Sequence, residues 1–246
     1  MLITSLLMSI NQLLPVVILC LLLNGLVDLT RKQLLVILGS GIVCSFAYVQ
    51  SAAIVSQLFE HRGLEFTQIM VCCIIFIASL LACNQQKWAA SVAIISAMVL
   101  YLSHYIIYIV GFWQAKEAAE PLLIGTLLGV GICFSFGTLF YFLLETLKTH
   151  FGDNSLHILL ASNATAKLLI VIDLASQIDV LDITTRYVDW RGFIAENSEL
   201  GRVLKALMGY EATPSLTALW VYTAAFSVFV LVCLLIGKKS QFKETL

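Results

Sequence analysis

Residues 201–215, GRVLKALMGYEATPS, form the most polar long stretch of an otherwise apolar chain, and their order decides how its C-terminal part folds. Leu200, Val203, Leu204 and Leu207 recur at three- and four-residue steps, which predicts a short helix with one apolar face. Gly209 stands where that helix should stop, and Pro214 follows it. Ser215 is placed to cap a new helix beginning at Leu216. The chain therefore lays down a short amphipathic helix, turns sharply and starts a long apolar run.

Six more such runs precede it. Hydrophobic residues make up 60% of the 246 and charged ones 12%, and the mean hydropathy is +0.97. A soluble domain is nearer half apolar and a quarter charged, so these totals describe a polytopic membrane protein. Crossing a bilayer takes about 20 apolar residues in a helix. The runs at 4–27, 33–57, 64–83, 88–112, 122–147, 155–176 and 216–237 all qualify. Inside lipid every backbone polar group needs a partner on its own segment, so the runs are helices and the fold class is all-α, with seven transmembrane helices. The net charge of -1 excludes a nucleic-acid binder that works by charge. Seven cysteines, Cys20, Cys44, Cys72, Cys73, Cys83, Cys133 and Cys233, fall in or beside apolar runs without metal-finger spacing, and read as small packing residues. The N-terminus lacks a basic region and a small-residue cleavage site, so it reads as a retained first span.

The basic residues orient the bundle. With the N-terminus outside, the inner segments hold Arg31, Lys32, Lys87, Lys148, Lys238, Lys239 and Lys243, and the short outer loops hold Arg62 and Lys116. Seven against two fits the positive-inside rule and is compatible with a bacterial inner membrane. Three parts follow: a six-helix bundle over 1–176, an extracytoplasmic cap over 177–215, and a seventh helix with a basic tail over 216–246. In the cap, Ile183, Tyr187, Trp190, Phe193 and Ile194 offer apolar surface to the helix ends, and the helix at 199–208 is expected along the membrane interface.

The spacing of Gly201, Leu204, Leu207, Gly209-Tyr210 and Pro214-Ser215 before an aromatic-rich span resembles the end of the high-affinity iron permease family, the oxidase-linked iron transporters and their bacterial relatives. Leu58-Phe59-Glu60 resembles the opening of that family's third helix, and Trp88, Pro121-Leu122, Gly125 and Gly129 bracket the fourth and fifth. The resemblance implies two three-helix repeats plus one helix, with the N-terminus outside. It also implies a midplane site built from an Arg-Glu-Gly-Leu-Glu motif in each of the first and fourth helices, where paired carboxylates hold iron as the transported ion. Here the corresponding positions read Ile10-Asn11-Gln12-Leu13-Leu14 and Leu100-Tyr101-Leu102-Ser103-His104. Both motifs are replaced, so the ion site is expected to be degenerate: one imidazole and two amides do not supply the field that draws a multiply charged ion out of water.

The candidate solute pathway is therefore Asn11, Gln12, Tyr101 and His104. A second candidate, an outer cation-collecting site, is Glu60, His61 and Glu65, with an Arg62–Glu65 ion pair as its plain structural alternative. Charged residues at membrane depth are costly and mark function by default, which adds Glu145, Lys167 and Asp173. A carboxylate on a neighbouring helix is the expected partner of Lys167. Gly125, Gly129, Gly131 and Gly137 are expected to allow close helix contact. No motif for haem attachment, phosphate binding or a catalytic nucleophile is present, and the chain reads as no enzyme. Two readings stay open: an iron-permease-like transporter, or a scaffold subunit that pairs in the bilayer with an intact permease or with an extracytoplasmic oxidase, haem or copper protein.

Overall fold

A computed structural model describes residues 2–59, 61–113, 119–181 and 187–244, the last nine of them by backbone only. Eight helices follow in order: α1 (Leu2–Val27), α2 (Arg31–Val55), α3 (Gly63–Ala82), α4 (Lys87–Trp113), α5 (Ala119–Phe151), α6 (Asp153–Gln177), α7 (Glu199–Met208) and α8 (Leu216–Glu244). Seven of them, all but α7, are long and apolar enough to cross a membrane. Their outward faces carry Leu35, Val36, Phe46, Leu127, Phe134, Leu139, Phe142, Leu231 and Leu235, all exposed. Water would penalise such surfaces, whereas lipid accommodates them.

The long helices alternate in direction. Lys148 at the end of α5 donates to the Gly25 carbonyl near the end of α1 at 3.1 Å, and the Cys83 and Cys233 thiols adjoin at 2.8 Å. At the other end Arg62 donates to the Ile178 carbonyl at 2.6 Å, and Ser5 lies 3.4 Å from the Pro121 carbonyl. The first of these is the basic end, near Arg31, Lys32, Lys87 and Lys148. The second carries the 177–215 excursion and is called the capped end below.

The core runs along α1. Ile18, Leu19, Leu22 and Leu23 are fully buried, against Ala89, Ala90, Ala93 and Ile94 of α4 and Leu156 and Leu160 of α6. Small residues set the closest approach, where α5 lies on α1. A Cβ on Gly125 would strike Ser5, and one on Gly129 would strike Ser9. Gly137 is tight against Val17 at 3.0 Å, whereas Gly131, expected to act likewise, faces open space. Ser9 and Tyr105, 3.0 Å apart, join α1 to α4.

Local signals explain the helix ends. Thr30 and Gln33 form a reciprocal capping box at the start of α2. Ser198 accepts from the Gly201 N–H at 3.0 Å to start α7, and Gly209 ends it with φ 71°, a left-handed conformation suited to glycine. Ser215 accepts from the Ala218 N–H at 3.1 Å and caps α8, as the sequence predicts.

The excursion folds on itself. Val188 and Trp190 donate to the carbonyls of Pro214 and Ala212 at 3.1 and 2.8 Å. Trp190 stacks on Tyr210, whose hydroxyl donates to the Ile194 carbonyl at 2.9 Å. Tyr187 and Phe193 remain exposed rather than packed on helix ends, and Ile183 lies outside the described residues.

Candidate functional site

The sequence places α7 along the membrane interface, but its last turn lies against the middle of α6. Asn163, fully buried on α6, donates to the carbonyls of Ala206 and Leu207 at 3.0 Å each. Those carbonyls have no partner within α7, because they fall in its last turn. The side chain of Asn163 supplies the missing donors. Gly209 sits directly on Ala166, where an added Cβ would approach that residue's Cβ to 2.7 Å. From Asn163 to Gln177 at the capped end of α6 is 14 residues, about 21 Å of helix. The polypeptide thus descends beside α6, turns at Gly209 and climbs back to α8.

This return path leaves a pocket of about 360 Å³ between α1, α6 and α7, with Tyr101 of α4 reaching it. Its deep part is lined by Asn11, Pro15, Tyr101, Ala166 and Lys167. Asp173 of α6, Glu196, Arg202 and Lys205 from the excursion, and Glu211 beyond Gly209 stand around the rest.

Lys167 dominates the deep part. It is 2% exposed, and from Lys167 to Gln177 is ten residues, about 15 Å of helix. Its Nζ donates to the Tyr101 hydroxyl at 2.9 Å and lies 4.9 Å from the centre of that ring. The expected carboxylate on a neighbouring helix is not there: among the described residues Lys167 forms no ion pair. The other pocket cations are paired, Lys205 with Glu196 at 2.6 Å and Arg202 with Glu199 at 3.8 Å. Among the described residues Asp173 and Glu211 are the pocket carboxylates without an ion pair. Burial, and after it the neighbouring Asp173 charge, push the Glu211 carboxyl above the usual range, with Lys205 acting in the opposite sense.

Pro15 adds a backbone group. Lacking an N–H, it leaves the carbonyl of Asn11, one turn earlier, without its intrahelical donor. Asn11 and Pro15 both line the pocket, so the interrupted turn of α1 lies at its wall. Broken helical bonding at mid-depth is a common device of membrane solute sites.

The four sequence-chosen pathway residues separate. Asn11 and Tyr101 line the pocket; Gln12 and His104 do not. His104 Nδ1 donates to the Leu100 carbonyl at 2.7 Å, leaving Nε2 to accept from the Gln68 amide at 3.3 Å. That histidine joins α4 to α3 as a packing residue. At the proposed outer site Arg62 turns to Ile178 rather than to Glu65. Glu65 Oε2 is buried without a partner among the described residues, His61 is exposed, and Glu60 lies outside the described residues. Glu145 belongs to a separate cavity of about 190 Å³ at the basic end, beside Gly25, Asp28 and Lys148. Asp173 joins Lys167 in the main pocket. No cluster of three or more metal-ligating side chains occurs among the described residues.

Arg202, Lys205, Glu196 and Glu211 escaped the sequence reading because a polar excursion reads as solvated surface. The available signal was Asn163 one turn before Lys167, a buried donor that calls for a backbone partner.

Comparison with protein-family models, with curated proteins and with solved structures returns no match.

Proposed function

We propose that the chain is a permease-like integral membrane protein that takes a solute into the α1–α6–α7 pocket on its way across the bilayer. The carrying observation is a charged, mid-depth pocket walled by a re-entrant helix and by a proline-interrupted one. The iron permease resemblance supports the frame. So does the packing: α1 lies on α5 as α4 lies on α2, through Gly125 and Gly129 in one pair and Gly41 against Met98 in the other. That is the pattern expected of two related three-helix halves. The N-terminus and cap lie outside and the basic end lies in the cytoplasm of a bacterial inner membrane, as the lysine and arginine bias favours. The family's cargo fits less well. A bare ferric ion would meet an ammonium in place of carboxylates, so the ion site is degenerate.

The second reading, a scaffold subunit for an extracytoplasmic redox protein or an intact permease, draws on exposed Tyr187 and Phe193 at the capped end. The test is thiol accessibility. In Asn11→Cys and Ala166→Cys variants, a membrane-impermeant methanethiosulfonate added from the capped face of intact vesicles should label both above the background of the native cysteines. Absence of labelling at both removes the solute-pocket reading and leaves the scaffold.

A further inference from the structure

A buried ammonium held only by a phenol lacks a counter-charge. Desolvating such a group costs several kcal/mol unless an anion meets it, and proteins without a use for it place an apolar side chain there. Lys167 is nine-tenths buried and more, lines a cavity, and among the described residues has Tyr101 as its hydrogen-bond partner and no ion pair. Asp173 and Glu211 present the opposite charge elsewhere on the pocket, also without ion pairs among the described residues. A multiply charged inorganic anion would be repelled by those carboxylates, and a metal cation by Lys167.

Resting on the solute-pocket reading, we propose that the pocket takes a small extended zwitterion: its carboxylate docks on Lys167 and Tyr101 in the deep part, and its ammonium on Asp173 and Glu211. Lys167 and Asp173 are six residues apart, about 9 Å along α6. That span suits an ω-amino carboxylate better than a compact α-amino acid, whose charges are a few bonds apart.

The test uses the full-length chain in nanodiscs with δ-aminovalerate as probe, and valerate, cadaverine and inorganic phosphate as comparators. δ-Aminovalerate should bind at least about tenfold tighter than any comparator, the value of one good ionic contact. Lys167→Met should weaken it about 30-fold or more, because truncating one partner of a buried charge pair has effects of that size. The same variant should unfold at a higher temperature than the wild type without ligand, which separates lost binding from lost folding. The double variant Asp173→Asn, Glu211→Gln should erase the preference over valerate, and Tyr101→Phe should weaken both. Tightest binding of phosphate or cadaverine overturns the proposal, as does unchanged binding in Lys167→Met. If none of the four probes binds while Asn11→Cys is labelled, the zwitterion assignment falls and the solute pocket stands. If labelling also fails, the pocket reading falls with it.

Discussion

The two sides of α1 solve opposite problems. Towards α5, glycines at 125 and 129 let Ser5 and Ser9 come to backbone distance, and Ser5 and Ser9 are fully buried. Towards α6 and α7 the same helix carries Asn11 and Pro15 on a cavity edged with charge. A seam without side-chain volume closes mainly by dispersion, helped here by Ser5 reaching the Pro121 carbonyl, and needs no water. A wall of charged groups has to keep space for whatever neutralises it. One helix thus separates a glycine–serine seam from a charged cavity.

The seam should be the easier of the two to break. Gly129→Leu drives a branched side chain into Ser9 and should lower stability by about 3 kcal/mol, the upper part of the range for overpacking. Thermal unfolding in detergent measures it, and a variant as stable as the wild type would mean that α5 is free to move off α1. At the open side the equivalent test is Asn163→Leu. It strands the Ala206 and Leu207 carbonyls, at about 2 kcal/mol for unsatisfied groups, partly offset because the unpartnered Asn163 Oδ1 disappears too. Hydrogen exchange should rise across 199–210 while α1 and α5 stay protected. Uniform loosening would show that the two sides are one cooperative unit. Gly209→Ala comes next, at about 1 kcal/mol for a side chain in the left-handed region, plus whatever the Ala166 contact adds. A variant with unchanged protection of α7 would show that the turn shifts without strain.

The spans were legible because a 20-residue apolar run has few alternatives, and the end of α7 and the start of α8 because Gly209 and Ser215 satisfy specific backbone groups. The descent of α7 was not legible. Amphipathic periodicity gives a helix an apolar face but not the depth at which that face is buried, and Glu196, Arg202 and Lys205 look alike on a surface and in a polar cavity. Lys167 was found by its cost, yet its partner was sought among carboxylates when a neutral phenol took the place. His104 misled for the reverse reason: its position matched a family site, but the carbonyl one turn back satisfies Nδ1 within its own helix.

The smallest effect sharpens the contrast most directly, because it reads the open side's charge without disturbing the seam. Glu211 has its carboxyl raised, first by burial and then by Asp173, so ionising it costs the ligand-free fold stability. A group whose folded value exceeds its unfolded one, about 4.3 for glutamate, contributes stability that is complete below that pH and is lost as pH rises through the folded value. Glu211→Gln keeps the shape and removes the titration. Its unfolding temperature should therefore exceed that of the wild type at neutral pH, and the difference should shrink as the pH is lowered towards the unfolded value. Gly129→Leu should give a deficit that ignores pH over the same interval. If the Glu211→Gln difference is flat with pH, or grows in acid, the carboxylate is solvated and the open side holds no unneutralised acid at its wall.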